Sequence, residues 1–525
     1  MAQQNSMNDI IKNREETAKS AYERLSNDRN MYITRAEDCA KYTIPSLFPQ
    51  NGSNASTTFS TPYQSFGARA VNNLTSKLAL ALMPPNSPFF TLNPSQDTKQ
   101  ELEQSGDNMV TEVQQQLMRI ENICMKYVET HQIRVTITEA LKMLIVAGNA
   151  CLYLPPQEGG IKMYRLNDYV VVRDALGTWY RLITLDKVAW ASLPEDVQNM
   201  ISKTGDNTEE HKPSDEVEIY TDVQLQNGQY ISYQEVNGEV IDGTAQAFPA
   251  DSAPWIPLRM IKMDGESYGR SFVEEYLGDI RSLENLSKAI VELSSICASV
   301  YFLVNPNGIT RVNRLSKAET GAFIPGRAED ITVLQLDKYN DLNVAQQTAA
   351  NIESRLSFAF LLNSAVQRNG ERVTAEEIRY VAGELEDTLG GIYSLLSQEL
   401  QLPLARRLVA QLSSGGQIPD LPPDLVDMEV ITGVEAIGRG HDLNKLSQFL
   451  ELQQMNPAAQ TYLNWQKIMI MEATALGIDT EELIKTDEQI QQEQQQSMMS
   501  NMAEKAAPQL AKGAMDGMNN QMGGM

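Results

Sequence analysis

Histidine is nearly absent from this chain: three in 525 residues, His131, His211 and His441, far apart. Cysteine is almost as scarce, with Cys39, Cys124, Cys151 and Cys297 scattered and never at paired spacing. These shortages exclude the clustered ligands of a zinc site, so no metal is expected. They also exclude a disulfide framework and fit reduced thiols in a cytoplasm. No G-x-x-x-x-G-K-S/T occurs, which leaves no Walker-type nucleotide site and no expected cofactor. The opening residues, MAQQNSMNDIIKNREET, lack an apolar core and are not expected to act as a secretory leader. The glycosylation patterns at Asn51, Asn54 and Asn73 are therefore read as chance. The most apolar stretch, Ala140–Leu154, contains Lys142 and Asn149 and is too short for a bilayer, so no membrane partner is expected. Positive charge is also short: 43 Lys and Arg stand against 68 Asp and Glu, a net charge of −25. Such a chain does not adhere to nucleic acid over its whole surface.

What the chain does have is helical periodicity. From Gly265 to Val300 apolar residues fall at Phe272, Tyr276, Ile280, Leu283, Leu286, Ile290, Leu293, Cys297 and Val300, the seam of one long amphipathic helix. About 30 residues would make a rod of ~45 Å, which must lie along a partner of similar length. Its polar face is net acidic: Glu274, Glu275, Asp279, Glu284 and Glu292 against Arg270, Arg281 and Lys288. Earlier helices are expected over about 8–44, 64–83 and 98–147, the first two stopped by prolines. Strands are expected at 151–154, 163–166, 170–173, 179–184, 216–226, 229–236 and 239–241. A short helix is expected over 194–203, and another apolar run over 255–263. Asn227-Gly228 and Asn237-Gly238 supply the positive φ angles of tight hairpin turns, so the later strands read as an antiparallel meander. After Val300 the chain is irregular, with strand candidates at 301–304 and 331–336. Helix returns over about 343–365, breaks at QRNGERV (367–373), and resumes from Thr374 to about Leu412, with a kink expected at Pro403. Two more helices follow, and the Gln-, Met- and Gly-rich tail from about Glu488 reads as disordered. At 525 residues two or more domains are expected. The fold class is α+β, mainly helical.

The chemistry offers two signals. Gly265-Glu-Ser267-Tyr-Gly269 matches the G-x-S-x-G nucleophile elbow and lies between a strand and a helix. The plainer reading is a tight turn built from small residues, with Ser267 serving free amides at the helix start. A hydrolase would need a histidine after Ser267, and only His441 qualifies; the alternating β-α units of such an enzyme are missing. The second signal is local positive charge. Arg311, Arg314, Lys317 and Arg327 cluster against the single acid Glu319. Arg368, Asn369 and Arg372 sit in the Gly-containing break, suited to phosphate contact without base reading, or simply facing water.

In this order the elements resemble the portal, or head-to-tail connector, proteins of short-tailed bacteriophages of the autographivirus type. The resemblance is carried by AYERL (21–25), YTIPSLFP (42–49), GARAVNNLTSKLALALMPP (67–85), IVAGNACLYLP (145–155) and DGESYGRSFVEEYLGDIRSLENL (264–286). It continues through RLSFAFLLNSAVQRNGERVTAEEIRYVAGELEDTLGGIYSLLSQELQLPL (355–404) and TGVEAIGRGHDL (432–443). It implies a non-enzymatic twelve-subunit ring at one capsid vertex of the virion, assembled in the host bacterial cytoplasm and enclosing a double-stranded DNA channel. It implies a wing (1–263), a stem helix (264–300), a clip (301–341), a second stem helix (342–366) and a channel loop (367–373). A kinked wing helix (374–412), a crown (413–487) and the tail (488–525) follow. Arg368, Asn369 and Arg372 would contact DNA. Arg311, Arg314, Lys317 and Arg327 would belong to the clip that meets terminase large subunit and then the tail adaptor. Major capsid, scaffolding and internal core proteins are the other implied partners. A serine hydrolase using Ser267, and a scaffold or adaptor that conducts no DNA, remain the alternatives.

Overall fold

The computed structural model describes residues 14–49, 56–85, 88–105, 107–157, 159–204, 212–298, 301–315, 317–319, 321–323, 325–334, 339–362, 389–422, 425–430 and 468–469. The chain divides into two compact units, Met1–Ala436 and Ile437–Met525. Of the second only Ile468 and Met469 are described. The described strands all belong to the first unit.

The core of that unit begins with three helices. Ala18–Tyr42 starts where Thr17 Oγ1 accepts the Ser20 N–H at 3.1 Å. The buried Glu235 carboxylate accepts from the N–H groups of Ala18 (2.8 Å) and Lys19 (3.1 Å) and pairs with Arg14 at 3.1 Å. An acid at a helix start answers both the free amides and the dipole. Phe66–Leu82 follows, and its Gly67 is required by proximity: a Cβ there would lie 2.5 Å from the Tyr42 carbonyl oxygen. Ile133–Ala147 exposes Val135 and Glu139 in its first half, and its apolar end, Met143–Ala147, is buried at every residue, as a stretch apolar on all sides must be.

Every described strand pair is antiparallel. β1 (Phe90–Pro94) pairs with β13 (Val426–Val430). β2 (Asn149–Tyr153) lies between β3 (Lys162–Tyr164) and β10 (Trp255–Arg259). The largest sheet runs β4 (Tyr169–Arg173), β5 (Trp179–Ala189), β6 (Glu216–Gln226), β7 (Gln229–Val236), β8 (Glu239–Val240), with β9 (Gln246–Pro249) also on β7. β11 (Tyr301–Val304) and β12 (Ile331–Leu334) form a two-stranded sheet. The meander turns match the sequence reading: Asn227 and Gly228 have φ of 50° and 77°, Asn237 and Gly238 of 50° and 85°.

Several expectations change. The block at 98–147 is three helices, Gln96–Ser105, Asp107–Thr130 and Ile133–Ala147, the last preceded by Gln132 at φ 53°. The rod expected from Gly265 starts only at Phe272, because Gly265 (φ 78°) and the Ile261–Arg270 bridge hold 265–270 in a turn. It is also split. Phe272–Glu275 ends at Tyr276, whose ring packs on Phe360, and Leu277–Ala298 begins anew. β1, β9 and β13 add to the expected strands. At Pro403 the break takes the form of a π-helical turn, Ser397–Gln401, leading into the helix Leu402–Ser414. Gln401 Nε2 donates to the Leu82 carbonyl at 2.7 Å and Tyr393 Oη to that of Ala81 at 3.2 Å, closing the end of Phe66–Leu82. Past residue 413 the chain passes through β13, which pairs with β1 in this first unit.

Gly269 tests the turn. A Cβ there would lie 2.7 Å from Arg259 Cβ and 2.8 Å from the Gly148 carbonyl oxygen. Gly269→Ala is expected to cost about 1–3 kcal/mol of stability through overpacking, read as a lowered thermal midpoint. Ser267→Ala should change that midpoint much less.

Candidate functional site

The helix Leu277–Ala298 packs along Tyr339–Ala359, and the two are joined through the segment carrying β11 and β12. Their base is apolar: Ile280 and Leu283 on one helix and Ile352 and Leu356 on the other are buried. Phe360 closes it, edge-on to Phe272 (5.1 Å between centroids), Tyr276 (5.5 Å) and Phe66 (6.3 Å). Ion pairs flank this base: Arg355–Asp279 at 3.2 Å, Arg69–Glu353 at 2.6 Å and Arg281–Asp38 at 3.0 Å. They are surface pairs and orient more than they stabilise. Glu284 accepts the N–H groups of Tyr63 (3.0 Å) and Gln64 (3.2 Å). Farther along both helices burial falls: Val291 and Ile296 are exposed and Val344 retains 65% of its accessible surface, while beside the base Phe358 faces outward and retains 75%.

The second helix ends on a built stop. Leu361 takes φ 55°, unusual for a residue with a Cβ. Asn73 Nδ2 donates to the carbonyls of Phe360 (3.1 Å) and Leu361 (3.0 Å), and the buried Lys77 ammonium donates to Leu361 O at 2.8 Å. A cation at a helix C-terminus answers the free carbonyls and the dipole. The chain then enters 363–388. Arg368, Asn369 and Arg372 lie there, outside the described residues.

The other four predicted residues are described. Arg311, Arg314, Lys317 and Arg327 are all exposed, on the segment between β11 and β12. Asp330 organises that segment. Its Oδ2 accepts the Thr310 hydroxyl (2.9 Å) and amide (3.1 Å), and its carbonyl accepts the Asn305 N–H at 2.9 Å. Thr310 Oγ1 in turn accepts the Arg327 N–H at 3.0 Å. Arg311 and Arg327 are thus fixed at neighbouring backbone positions around one carboxylate; Arg314 follows on the turn Val312–Leu315. Hydrogen bonds from Thr310 hold the Asp330 carboxyl below its ordinary range. Phe302, Leu303, Ile309 and Phe323 are exposed on the same segment. Neither Asp330 nor the Asn73–Lys77 stop is legible in the sequence: the groups they bind lie 20 and more than 280 residues away.

Ser267 is no elbow nucleophile in this structure. Its hydroxyl accepts the Arg173 N–H at 3.3 Å and its carbonyl accepts Arg173 Nε at 3.1 Å. Ser271, not Ser267, caps the helix, accepting the Glu274 N–H at 3.2 Å. His131, the one described histidine, stacks on Tyr127 at 3.9 Å; His211 and His441 lie outside the described residues. Among the described residues no three His, Cys, Asp or Glu are placed to hold a metal ion, and no helix is long and apolar enough to cross a membrane.

Residues 15–484 match the family model described as "Bacteriophage head to tail connecting protein". The chain is 51% identical over 500 residues to the portal protein of Enterobacteria phage T3, covering 94% of this chain and 92% of that one. It is 50% identical over 509 residues to the portal protein of Escherichia phage T7, covering 95% and 94%. It is 31% identical over 498 residues to the portal protein of Enterobacteria phage SP6, covering 93% and 95%.

The lowered Asp330 pKa sets a pH dependence. The folded state prefers the carboxylate, so its contribution is complete above the unfolded value near ~4 and is lost as pH falls through the lowered folded value. Hydrogen exchange at the Thr310 and Arg327 amides, corrected for intrinsic rate, should stay slow from neutral pH to about 5 and rise below about 4. In Asp330→Asn both amides should exchange fast already at pH 7. Slow exchange in that variant would contradict the assigned role.

Proposed function

This chain belongs to the bacteriophage head-to-tail connecting protein family, and from that membership we propose a homo-oligomeric portal ring at one capsid vertex. Its role is structural: it forms the conduit for double-stranded DNA during packaging and ejection. Twelve copies close the ring, assembled in the host bacterial cytoplasm. The paired helices, 264–300 and 342–366, form the stem around the channel, and 1–263 with 374–412 form the wing. Residues 301–341 form the clip, and 413–487 form the crown.

The observation that carries this reading is the exposed apolar surface of the helix pair. Val291, Ile296, Val344 and Phe358 keep between 47% and 75% of their accessible surface. Exposed apolar residues on paired helices are what an assembling subunit offers its neighbour. The acidic groups then remain for the channel. Over twelve copies the net charge of −25 sums to about −300, so most of the ring repels DNA and lets it slide. Arg368, Asn369 and Arg372 on the channel loop supply transient contact with phosphates, without base reading. Arg311, Arg314, Lys317 and Arg327 offer the clip a cationic surface for terminase large subunit and, after packaging, for the tail adaptor. The exposed Phe302, Ile309 and Phe323 beside them give that surface its apolar part. Major capsid, scaffolding and internal core proteins complete the partners.

Negative-stain imaging of the purified protein should show rings with a central hole; a stable monomer that never closes into rings would refute the proposal. Arg368→Ala combined with Arg372→Ala should leave ring assembly intact and reduce DNA packaging or retention in particles. Normal packaging and retention in that double variant would remove the gripping role.

A further inference from the structure

A cavity of about 360 Å³ lies where the β4–β5 turn, β10 and the π-helical turn meet, within the range of small-ligand sites. Its wall reverses the sign of the chain. Arg173, Arg259, Lys262 and Arg406 line it against Asp251 and Glu399, in a protein of net charge −25.

The pairings leave positive charge over. Arg406 meets Asp251 at 3.3 Å near the surface. Glu399 binds the buried Arg259 guanidinium and also lies 4.0 Å from Arg173 Nη1, so one carboxylate serves two buried cations. Arg173 otherwise donates to neutral acceptors: the carbonyls of Ser267 (3.1 Å), Gly177 (2.9 Å) and Pro257 (2.8 Å). These satisfy its N–H groups without cancelling its charge. Burial pushes the Arg173 pKa down, Glu399 opposes that, and Arg259 adds repulsion. Lys262 donates to the Leu176 carbonyl at 3.3 Å, again a neutral acceptor. Gly177, at φ 93°, gives its ammonium room: a Cβ there would lie 3.3 Å from Nζ. Trp179 and Trp255 complete the wall, and the buried Trp255 Nε1–H has no partner among the described residues.

We propose that this cavity binds a phosphate-type dianion between Lys262 and Arg173. Two cations exceed the acids of the wall, which matches the charge of such a ligand. The space also exceeds one ion, so a phosphate carried on a nucleotide can place its organic part against the tryptophans. The G-x-S-x-G turn has a place here: Ser267 orients Arg173, one wall of the site, and performs no chemistry. The proposal does not depend on ring formation.

Titration calorimetry of the purified full-length protein with inorganic phosphate, at constant ionic strength, tests it. The expected result is saturable binding of one phosphate per chain, weakened at least tenfold in Lys262→Met. Lys262 is exposed, and the variant's melting without phosphate should match the parent's. Unchanged affinity in the variant, or the same heat from chloride at equal ionic strength, would overturn the proposal. A 5′-phosphorylated dinucleotide used as competitor separates the sources. Displacement of phosphate assigns the site to nucleotide-borne phosphate, no displacement assigns it to the free ion, and both uphold the dianion site.

Discussion

The Asn149 carboxamide, 1% exposed, exchanges two hydrogen bonds with the peptide of Gly269: Nδ2 to the carbonyl at 2.7 Å, and Oδ1 from the N–H at 2.6 Å. This buried pairing is where the sheet-bearing body becomes the paired helices. Asn149 opens β2 directly after the helix Ile133–Ala147 and Gly148. Gly148 accepts the Met260 N–H at 2.9 Å from the end of β10. Two residues beyond Gly269, Ser271 caps the outgoing helix and donates to the Ile145 carbonyl at 2.9 Å. One helix end, two strand ends and one helix start thus meet within a few residues. Side chains at 148 and 269 are excluded because the backbones already touch. A lost partner here would leave buried polar groups unmade, which costs more than an ordinary hydrogen bond contributes.

The return of the chain is held by a different device with the same logic. Leu361 leaves its helix at positive φ, and the carbonyls so exposed are met by Asn73 and Lys77 from the helix Phe66–Leu82. The far end of that same helix run, at Ala81 and Leu82, is closed by Tyr393 and Gln401. The helix Phe66–Leu82 therefore anchors the chain immediately before and after the segment 363–388. The proposed DNA-contacting loop, 367–373, lies inside that segment.

Much of this is legible wherever the signal is local. Asn-Gly pairs between alternating runs name two hairpins, because only those residues take positive φ at low cost. Strands β6 and β7 have the bounds the sequence suggests. What fails is long-range. β1, FTLNP, falls outside every element expected from the sequence; it becomes a strand through β13, more than 330 residues later. The split at Tyr276 is hidden because apolar spacing continues through it, while the ring turns to Phe360, also distant in sequence. The four cations between β11 and β12 stand out by composition, yet the carboxylate that arranges them, Asp330, looks like any other acid. The sharpest short motif misleads for a physical reason. G-x-S-x-G asks for small residues at a tight strand-to-helix turn, and close backbone packing asks for the same residues. Gly269 satisfies the second demand, with its N–H already donated to Asn149 Oδ1.

The scarcity of positive charge links the interior to the proposed function. Arg29, Arg173, Arg259 and Arg407 are among the chain's few cations, and all are buried. Arg29 donates to the carbonyls of Asn167 and Tyr169, and Arg407 to those of Ser252 and Pro155; both clamp backbone. Burial holds the Arg407 pKa down, at about 10, still far above neutrality, so the clamp keeps its charge. Cations committed to holding backbone leave the surface, but the buried acids Glu121, Asp222, Glu235 and Asp330 leave it too, so the exposed surface keeps the acidic excess of the whole chain. On the proposed ring this matters twice. A wall that repels DNA leaves translocation unhindered, and the remaining exposed arginines act by contrast with their surroundings. In a mixed surface a few arginines on a loop would be one feature among many. On the proposed ring they would be the local exception, and contact with phosphates would be confined to where the loops place them.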